Sequence, residues 1–196
     1  MVTAASETKV NHSPDPVPEP TRAAGAARHS GIGLRTYILL TPLVFLVHDA
    51  EEVATVAAWT RANADALPAA VRGFLPISTA QFAAAVALLF VVLSAVSLLA
   101  ARRPGDGLAT KAWLVLLAAL TANGFTHPAQ TVWFGGYTPG VATAVLLVIP
   151  FGALAWRRAV AEGVASRRAA IPLFLAGLAI QLPIVVLALV FGRGAG

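Results

Sequence analysis

The sequence contains no cysteine and little charge. The absence of cysteine excludes disulfides, thiolate metal sites, cysteine nucleophiles and attachment of a lipid through a thiol. Only 12% of the residues are charged and 58% are hydrophobic, whereas a soluble domain carries about 25% charged residues. We therefore expect a polytopic membrane domain rather than a soluble one.

Three further patterns are missing. The alternation of apolar and polar residues that marks the strands of a membrane barrel is not found, so the continuous apolar runs predict helices. No internal repeat is apparent, which disfavours an inverted-repeat transporter.

No apolar run precedes the first predicted span, and residues 1–34 are rich in proline, alanine and serine. That stretch is expected to be a disordered cytoplasmic tail.

Five apolar segments have the length that a membrane-crossing helix needs. The predicted fold class is therefore all-α: a polytopic membrane helix bundle of about five transmembrane helices, forming one domain over residues 35–196. The expected spans cover about residues 36–59, 79–101, 112–133, 140–156 and 170–191.

The net charge of +5 would suggest nucleic acid as the partner of a soluble protein. Here the basic residues flank apolar runs: eleven lie in the tail and in the second and fourth connections, and three lie elsewhere. This bias predicts a cytoplasmic N-terminus. We expect the lipid bilayer and no nucleic acid as partner. Heavy use of alanine and arginine favours a bacterial source, and hence the bacterial cytoplasmic (inner) membrane.

The first predicted span contains the run His48-Asp49-Ala50-Glu51-Glu52. Charge in hydrocarbon is costly, so these residues form a functional-site hypothesis by default. Glu51 lies three positions and Glu52 four positions after His48, and both carboxyls are therefore expected beside the imidazole. About 100° of helix rotation separates the two glutamates. One could bind a metal with His48 while the other acts as a base or supports a ligand.

The third predicted span contributes Asn123 and His127, which are four apart and hence on one helix face. Pro128 disfavours a regular helix at His127 and suits a kinked helix that lines a polar cavity. His48 and His127 are expected at similar depths, so the two side chains can meet. Tyr137, in the glycine-rich turn after this span, could reach back over the cavity.

Two histidines and one or two glutamates from two helices suit a divalent metal ion, with zinc favoured and iron or manganese suited if oxygen ligands dominate. Gln181, in the fifth span, is interpreted as a packing residue rather than a ligand. The predicted metal ligands are His48, Glu51, Glu52 and His127; the predicted catalytic residues are Glu51 and Glu52; Asn123 and Tyr137 are predicted to bind substrate or support the ligands.

The His48-Asp49-Ala50-Glu51-Glu52 run resembles the HxxEE family of small bacterial membrane proteins, which is named for this motif. Members often have a later Asn and His near a Tyr-x-Pro-Gly turn. Asn123, His127 and the turn Tyr137-Thr138-Pro139-Gly140 fit this pattern. The resemblance covers the chain from about Thr36 to the end of the fourth or fifth span. It implies a shared candidate site and no particular reaction.

Three functions remain open for the polar cluster. The first is a metal-dependent hydrolase acting on a lipid-like or membrane-embedded substrate, with water activated at the ion. The second is a carrier or channel component that passes protons or divalent ions, in which a homo-oligomer would supply the second half. The third is a non-catalytic scaffold whose polar residues fix helix packing. The pair Glu51-Glu52 favours the hydrolase, since catalysis needs a carboxylate beside the ligands.

Overall fold

The computed structural model describes residues 32–72, 78–105 and 107–194. Within these ranges the chain forms five long helices and no strand, which confirms the predicted all-α fold. The predicted disordered tail, residues 1–34, lies outside the described residues except for its last three. The helices are α1 (Leu34–Ala62), α2 (Thr79–Arg102), α3 (Leu108–Phe134), α4 (Val141–Ala161) and α5 (Ala170–Gly194).

Three of these helices, α2, α3 and α4, are long and apolar enough to cross a membrane, and they indicate a membrane protein. Helix α1 has the length as well, but Asp49, Glu51 and Glu52 make it more polar than the other three. The prediction that α1 and α5 also cross the membrane, which would bring the number of spans to five, stays a prediction.

The helices pack as neighbours around a largely aliphatic core. Helix α1 packs along α2, α3 packs along α5, and α4 contacts both α1 and α3. At the centre Trp113 is fully buried, and its indole nitrogen donates a 2.9 Å hydrogen bond to the hydroxyl of Thr41 on α1. Helix α5 approaches α3 closely because Gly177 has no side chain: a Cβ there would lie 2.7 Å from the backbone nitrogen of Ala119.

The connection between α3 and α4 is short and shaped by two glycines in the left-handed region. Gly135 ends α3 with φ of 67°, and Gly140 precedes α4 with φ of 81°. Residues that have a side chain rarely adopt such positive φ angles, so glycine suits both positions. Helix α4 then makes one regular turn before a π-helical segment over Ala144–Val148. Such π turns occur frequently at functional sites.

Candidate metal centre

The candidate site lies between α1 and α3, where two histidines and one glutamate converge. His48 and Glu52 are one turn apart on α1, and His127 lies on α3. The two imidazole rings have their centroids 4.8 Å apart and stand nearly perpendicular to each other. Both histidines are buried, while the Glu52 side chain keeps 15% of its surface exposed. The prediction that the two helices bring their histidines together is confirmed.

The spacing of the three ligand atoms suits a metal ion. One oxygen of Glu52, Oε1, lies 3.1 Å from Nε2 of His127 and 3.8 Å from Nε2 of His48, and all three ligand atoms fall within 4.8 Å of one another. Ligands of a tetrahedral zinc ion bound at 2.0–2.1 Å are about 3.3 Å apart. His48, Glu52 and His127 therefore form a group that could hold a divalent ion, and two nitrogens with one oxygen do not determine which ion.

The hydrogen bonds of His48 determine which ring nitrogen carries the proton. The Thr143 hydroxyl lies 2.6 Å from Oε2 of Glu51 and 3.3 Å from the carbonyl oxygen of Gly140. Because the contact with Glu51 is shorter, the hydroxyl donates its hydrogen bond to Glu51. Its oxygen then accepts from Nδ1 of His48 at 2.9 Å. Nε2 of His48 is consequently unprotonated, with its lone pair available to a donor or a metal.

His127 differs from His48 because neither of its ring nitrogens has a hydrogen-bond partner among the described residues, although both are buried. The 3.1 Å approach of Nε2 to Glu52 is close enough for an ion pair but lacks hydrogen-bond geometry. Buried polar atoms are nearly always hydrogen-bonded, and an exception needs an explanation. An ion held by Nε2 of His127 would provide one for that nitrogen.

The two neighbouring glutamates have different surroundings. Glu51 points towards the start of α4, where its carboxylate accepts hydrogen bonds from the backbone N–H groups of Ala142 (3.3 Å) and Thr143 (2.8 Å) and from two hydroxyls. A carboxylate at a helix N-terminus is stabilised by the helix dipole. Glu51 therefore does not belong to the group formed by His48, Glu52 and His127. Its link to His48 is the Thr143 hydroxyl, which is hydrogen-bonded to both side chains.

The amide of Asn123 adjoins the cluster from α3. Its nitrogen donates to Nε2 of His48 at 3.1 Å, and its oxygen accepts a hydrogen bond from the amide of Gln181 on α5. Gln181 therefore fixes the orientation of Asn123, because only the amide nitrogen can then face His48. An ion bound to Nε2 of His48 would take the place of the Asn123 donor.

The turn between α3 and α4 covers the cluster. A Cβ at Gly140 would lie 2.9 Å from Cε1 of both His48 and His127 and 3.0 Å from Cγ of Glu52. The turn is fixed at the adjoining residues: the indole of Trp59 donates to the carbonyl of Tyr137 at 2.8 Å, and the hydroxyl of Thr138 donates to the carbonyl of His127 at 3.2 Å. The absence of a side chain at Gly140 therefore lets the backbone lie directly against all three residues of the cluster.

Tyr137 reaches back towards the site as predicted, and its contact is with Glu51. The phenol donates a 2.7 Å hydrogen bond to Oε1 of Glu51. Two effects raise the pKa of the Tyr137 phenol above its ordinary value of 10.0: partial burial, which is the larger, and this hydrogen bond. Tyr137 therefore remains a proton donor to Glu51 at neutral pH.

Two residues of this network escaped sequence reasoning. Thr143 joins Glu51 to His48, and the only sequence signal for it is a hydroxyl in the first turn of the fourth span. The sequence predicts a packing role for Gln181, although an amide inside an apolar helix is itself a signal for a polar partner at the same depth. Asp49, in the same run as His48 and Glu52, is buried, and its Oδ2 atom has no hydrogen-bond partner in the described ranges.

The fold and the site together define a class: an all-helical membrane protein with a buried His-Glu-His cluster covered by a glycine-containing turn. The chain belongs to the HXXEE family. The family model, described as a protein of unknown function with HXXEE motif, matches residues 39–155, a range that includes all three residues of the cluster and Thr143. The family resemblance read from the motif is thus confirmed. No curated protein and no solved structure matches the chain.

Proposed function

We propose that this protein binds one divalent metal ion, zinc in the first place, through His48, Glu52 and His127, and uses it to hydrolyse a lipid-like or membrane-embedded substrate. Three protein ligands leave one position of a tetrahedral ion for water, which is the arrangement of catalytic rather than structural zinc sites. An ion held there would lower the pKa of its bound water to about 7 and would so supply hydroxide at neutral pH.

The observation that carries this proposal is the state of His127. Both of its ring nitrogens are buried without hydrogen-bond partners in the described part of the chain, and Nε2 lies 3.1 Å from the Glu52 carboxylate. An unsatisfied buried polar group costs about 1–3 kcal/mol. A polar network that served packing alone would be expected to satisfy such groups, whereas a metal ligand requires a nitrogen that is free to bind.

In this proposal the two glutamates act differently. Glu52 is the ligand. Glu51 is a positioning residue: through the Thr143 hydroxyl it holds the proton on Nδ1 of His48 and so keeps Nε2 available. Metal-bound histidines commonly donate their second ring N–H in this manner, and the partner orients the ring. Tyr137 and the N-terminus of α4 in turn hold the Glu51 carboxylate.

We further propose that the protein resides in a bacterial cytoplasmic membrane with its N-terminus on the cytoplasmic side. The support is the asymmetric distribution of arginine and lysine along the sequence. With this orientation the turn that contains Gly140 faces away from the cytoplasm, and the candidate centre lies in the outer half of the bilayer.

The proposed hydrolysis is tested with purified protein in nanodiscs made from a bacterial lipid extract. One sample is loaded with zinc, one is stripped with a chelator, and one is stripped and reloaded; lipid products are followed by mass spectrometry. We expect product in the loaded and reloaded samples only. Glu52→Gln should abolish it, and Glu19→Gln, the same change in the N-terminal tail, should leave it intact. If the wild type retains zinc but forms no zinc-dependent product, the hydrolase proposal is contradicted, while the proposed metal site still stands.

A further inference from the structure

An apolar groove lies between α1 and α2, separate from the candidate metal centre. It is an open groove of about 290 Å³. This volume is just below the usual range of small-molecule pockets and suits one alkyl chain rather than a compact ligand. The walls are apolar except for two serines, and all four of the lining leucines are exposed. The groove is lined by Leu39, Pro42, Leu43 and Leu46 of α1 and by Phe90, Ser94, Ser97 and Leu98 of α2.

Three arginines stand at one end of the groove. Arg35 lies one helical turn before the lining residue Leu39, and Arg102 lies one turn after the lining residue Leu98. The two helix ends are in contact, since Nε of Arg35 donates a 3.2 Å hydrogen bond to the carbonyl of Ala101. Together with Arg103, these residues form an exposed basic cluster directly beyond the groove.

No acidic side chain among the described residues neutralises this cluster. The carboxylate of Glu162, directly after the end of α4, accepts from the backbone nitrogen of Leu34 and pairs with Arg158 at 2.6 Å. The contact of Arg35 with Ala101 uses one of five guanidinium donors. The cluster therefore has capacity to bind a phosphate, for which arginine is the preferred side chain.

A polar group with no partner lies between the arginines and the apolar end of the groove. Ser97 is 1% exposed and its hydroxyl has no hydrogen-bond partner in the described part of the chain. It lies five residues before Arg102, which places it about 7.5 Å further along the helix. The ester carbonyls of a phospholipid lie at this kind of depth below the phosphate, so one of them could accept from Ser97.

We propose that this groove is a binding site for an anionic phospholipid. The phosphate contacts Arg35, Arg102 and Arg103, an ester carbonyl accepts from Ser97, and one acyl chain lies along the apolar wall towards Leu46. Basic residues at helix ends that continue into a gap between membrane helices are suited to anionic headgroups. The site is independent of the proposed metal chemistry, since none of its residues belongs to the metal cluster.

The test measures lipid retention by the full-length protein in a neutral detergent, with native mass spectrometry. Phosphatidylglycerol, phosphatidylcholine with the same chains, and chain-free glycerol phosphate are added separately. We expect one tightly held phosphatidylglycerol and little retention of the other two. The double variant Arg102→Gln/Arg103→Gln should lower the affinity roughly tenfold or more. The matched variant Arg167→Gln/Arg168→Gln removes the same charge in the turn just before α5, which does not line the groove, and should retain the lipid.

Two groove variants separate a shaped site from a merely basic surface. Ser97→Ala removes the unpartnered hydroxyl and should weaken retention by a few-fold, and Ser94→Leu, which fills the groove, should abolish it. Melting in detergent identifies variants that fail to fold. Equal retention of phosphatidylcholine, equal loss in the Arg167/Arg168 variant, or normal retention by a folded Ser94→Leu protein would each overturn the proposal.

Discussion

Glu51 and His48 are joined through a single hydroxyl. Thr143 donates to the Glu51 carboxylate at 2.6 Å and lies 2.9 Å from Nδ1 of His48. Because the threonine proton is used on the carboxylate, the imidazole must donate from Nδ1, and its other nitrogen faces Glu52 and Asn123. A residue on α4 thus sets the protonation of a ring on α1.

The first prediction concerns Thr143. Thr143→Val keeps the shape of the side chain but removes the hydroxyl, so Nδ1 of His48 loses its acceptor. We expect zinc affinity to fall roughly 10–100-fold, the range for loss of a residue that orients a metal ligand. Competition with a chromophoric chelator measures the affinity. Thr143→Ser retains the hydroxyl and should stay within a few-fold of wild type; a similar loss in both variants would show that packing, and not the hydrogen bond, matters.

The second prediction separates the two glutamates. Glu52→Gln removes a carboxylate that lies within 4 Å of both histidines and should abolish stoichiometric zinc binding. Glu51→Gln still offers an oxygen to Thr143 or Tyr137 and should retain the ion with affinity reduced by roughly 10–100-fold. Zinc titration of each folded variant gives the answer. Loss of zinc in Glu51→Gln together with normal binding in Glu52→Gln would reverse the assignment.

The third prediction concerns Gly140, which lies against the cluster with φ of 81°. Gly140→Ala should destabilise the protein by at least about 1 kcal/mol, the cost of left-handed backbone for an L-residue. It should also reduce zinc binding, because the new Cβ would lie 2.9 Å from both rings. Gly136→Ala is the matched control in the same turn, with no positive φ and nothing within 4 Å of its Cβ. Equal melting temperatures for the two variants would contradict the close contact.

The fourth prediction is a pH dependence at Tyr137. Burial and the hydrogen bond to Glu51 raise its pKa above 10.0 in the folded protein. The associated stability is therefore fully present below about pH 10 and is lost as the pH rises through the folded-state value. In a Tyr37→Phe background, ultraviolet titration follows Tyr137 as the single tyrosine. Adding Glu51→Gln should move the pKa down towards 10, and an unchanged titration would show that Glu51 does not hold the phenol.

Much of the architecture could be predicted because apolar length is a direct property of the sequence. Predicted span 79–101 corresponds to helix Thr79–Arg102, and predicted span 112–133 lies within Leu108–Phe134. The meeting of His48 with His127 followed from their depth in two neighbouring helices. These inferences needed only the helical rise and the thickness of a bilayer.

The finer arrangement of the site could not be predicted, because it depends on helix rotation and on contacts between distant segments. Spacing alone placed Glu51 and Glu52 equally close to His48, and only the position of α4 separates them, by offering Glu51 its backbone N–H groups. The contact of Gln181 with Asn123 similarly depends on the close approach of α5 at Gly177.

The central claim is that one ion is shared by α1 and α3, and elemental analysis of the purified protein tests it most directly. Wild type, His48→Ala and His127→Ala are equilibrated with zinc, freed of excess ion and compared after melting curves confirm that each is folded. We expect one zinc per wild-type chain and close to none in either variant. A wild type that binds no zinc, iron or manganese after reconstitution, or folded variants that retain a full equivalent, would contradict it.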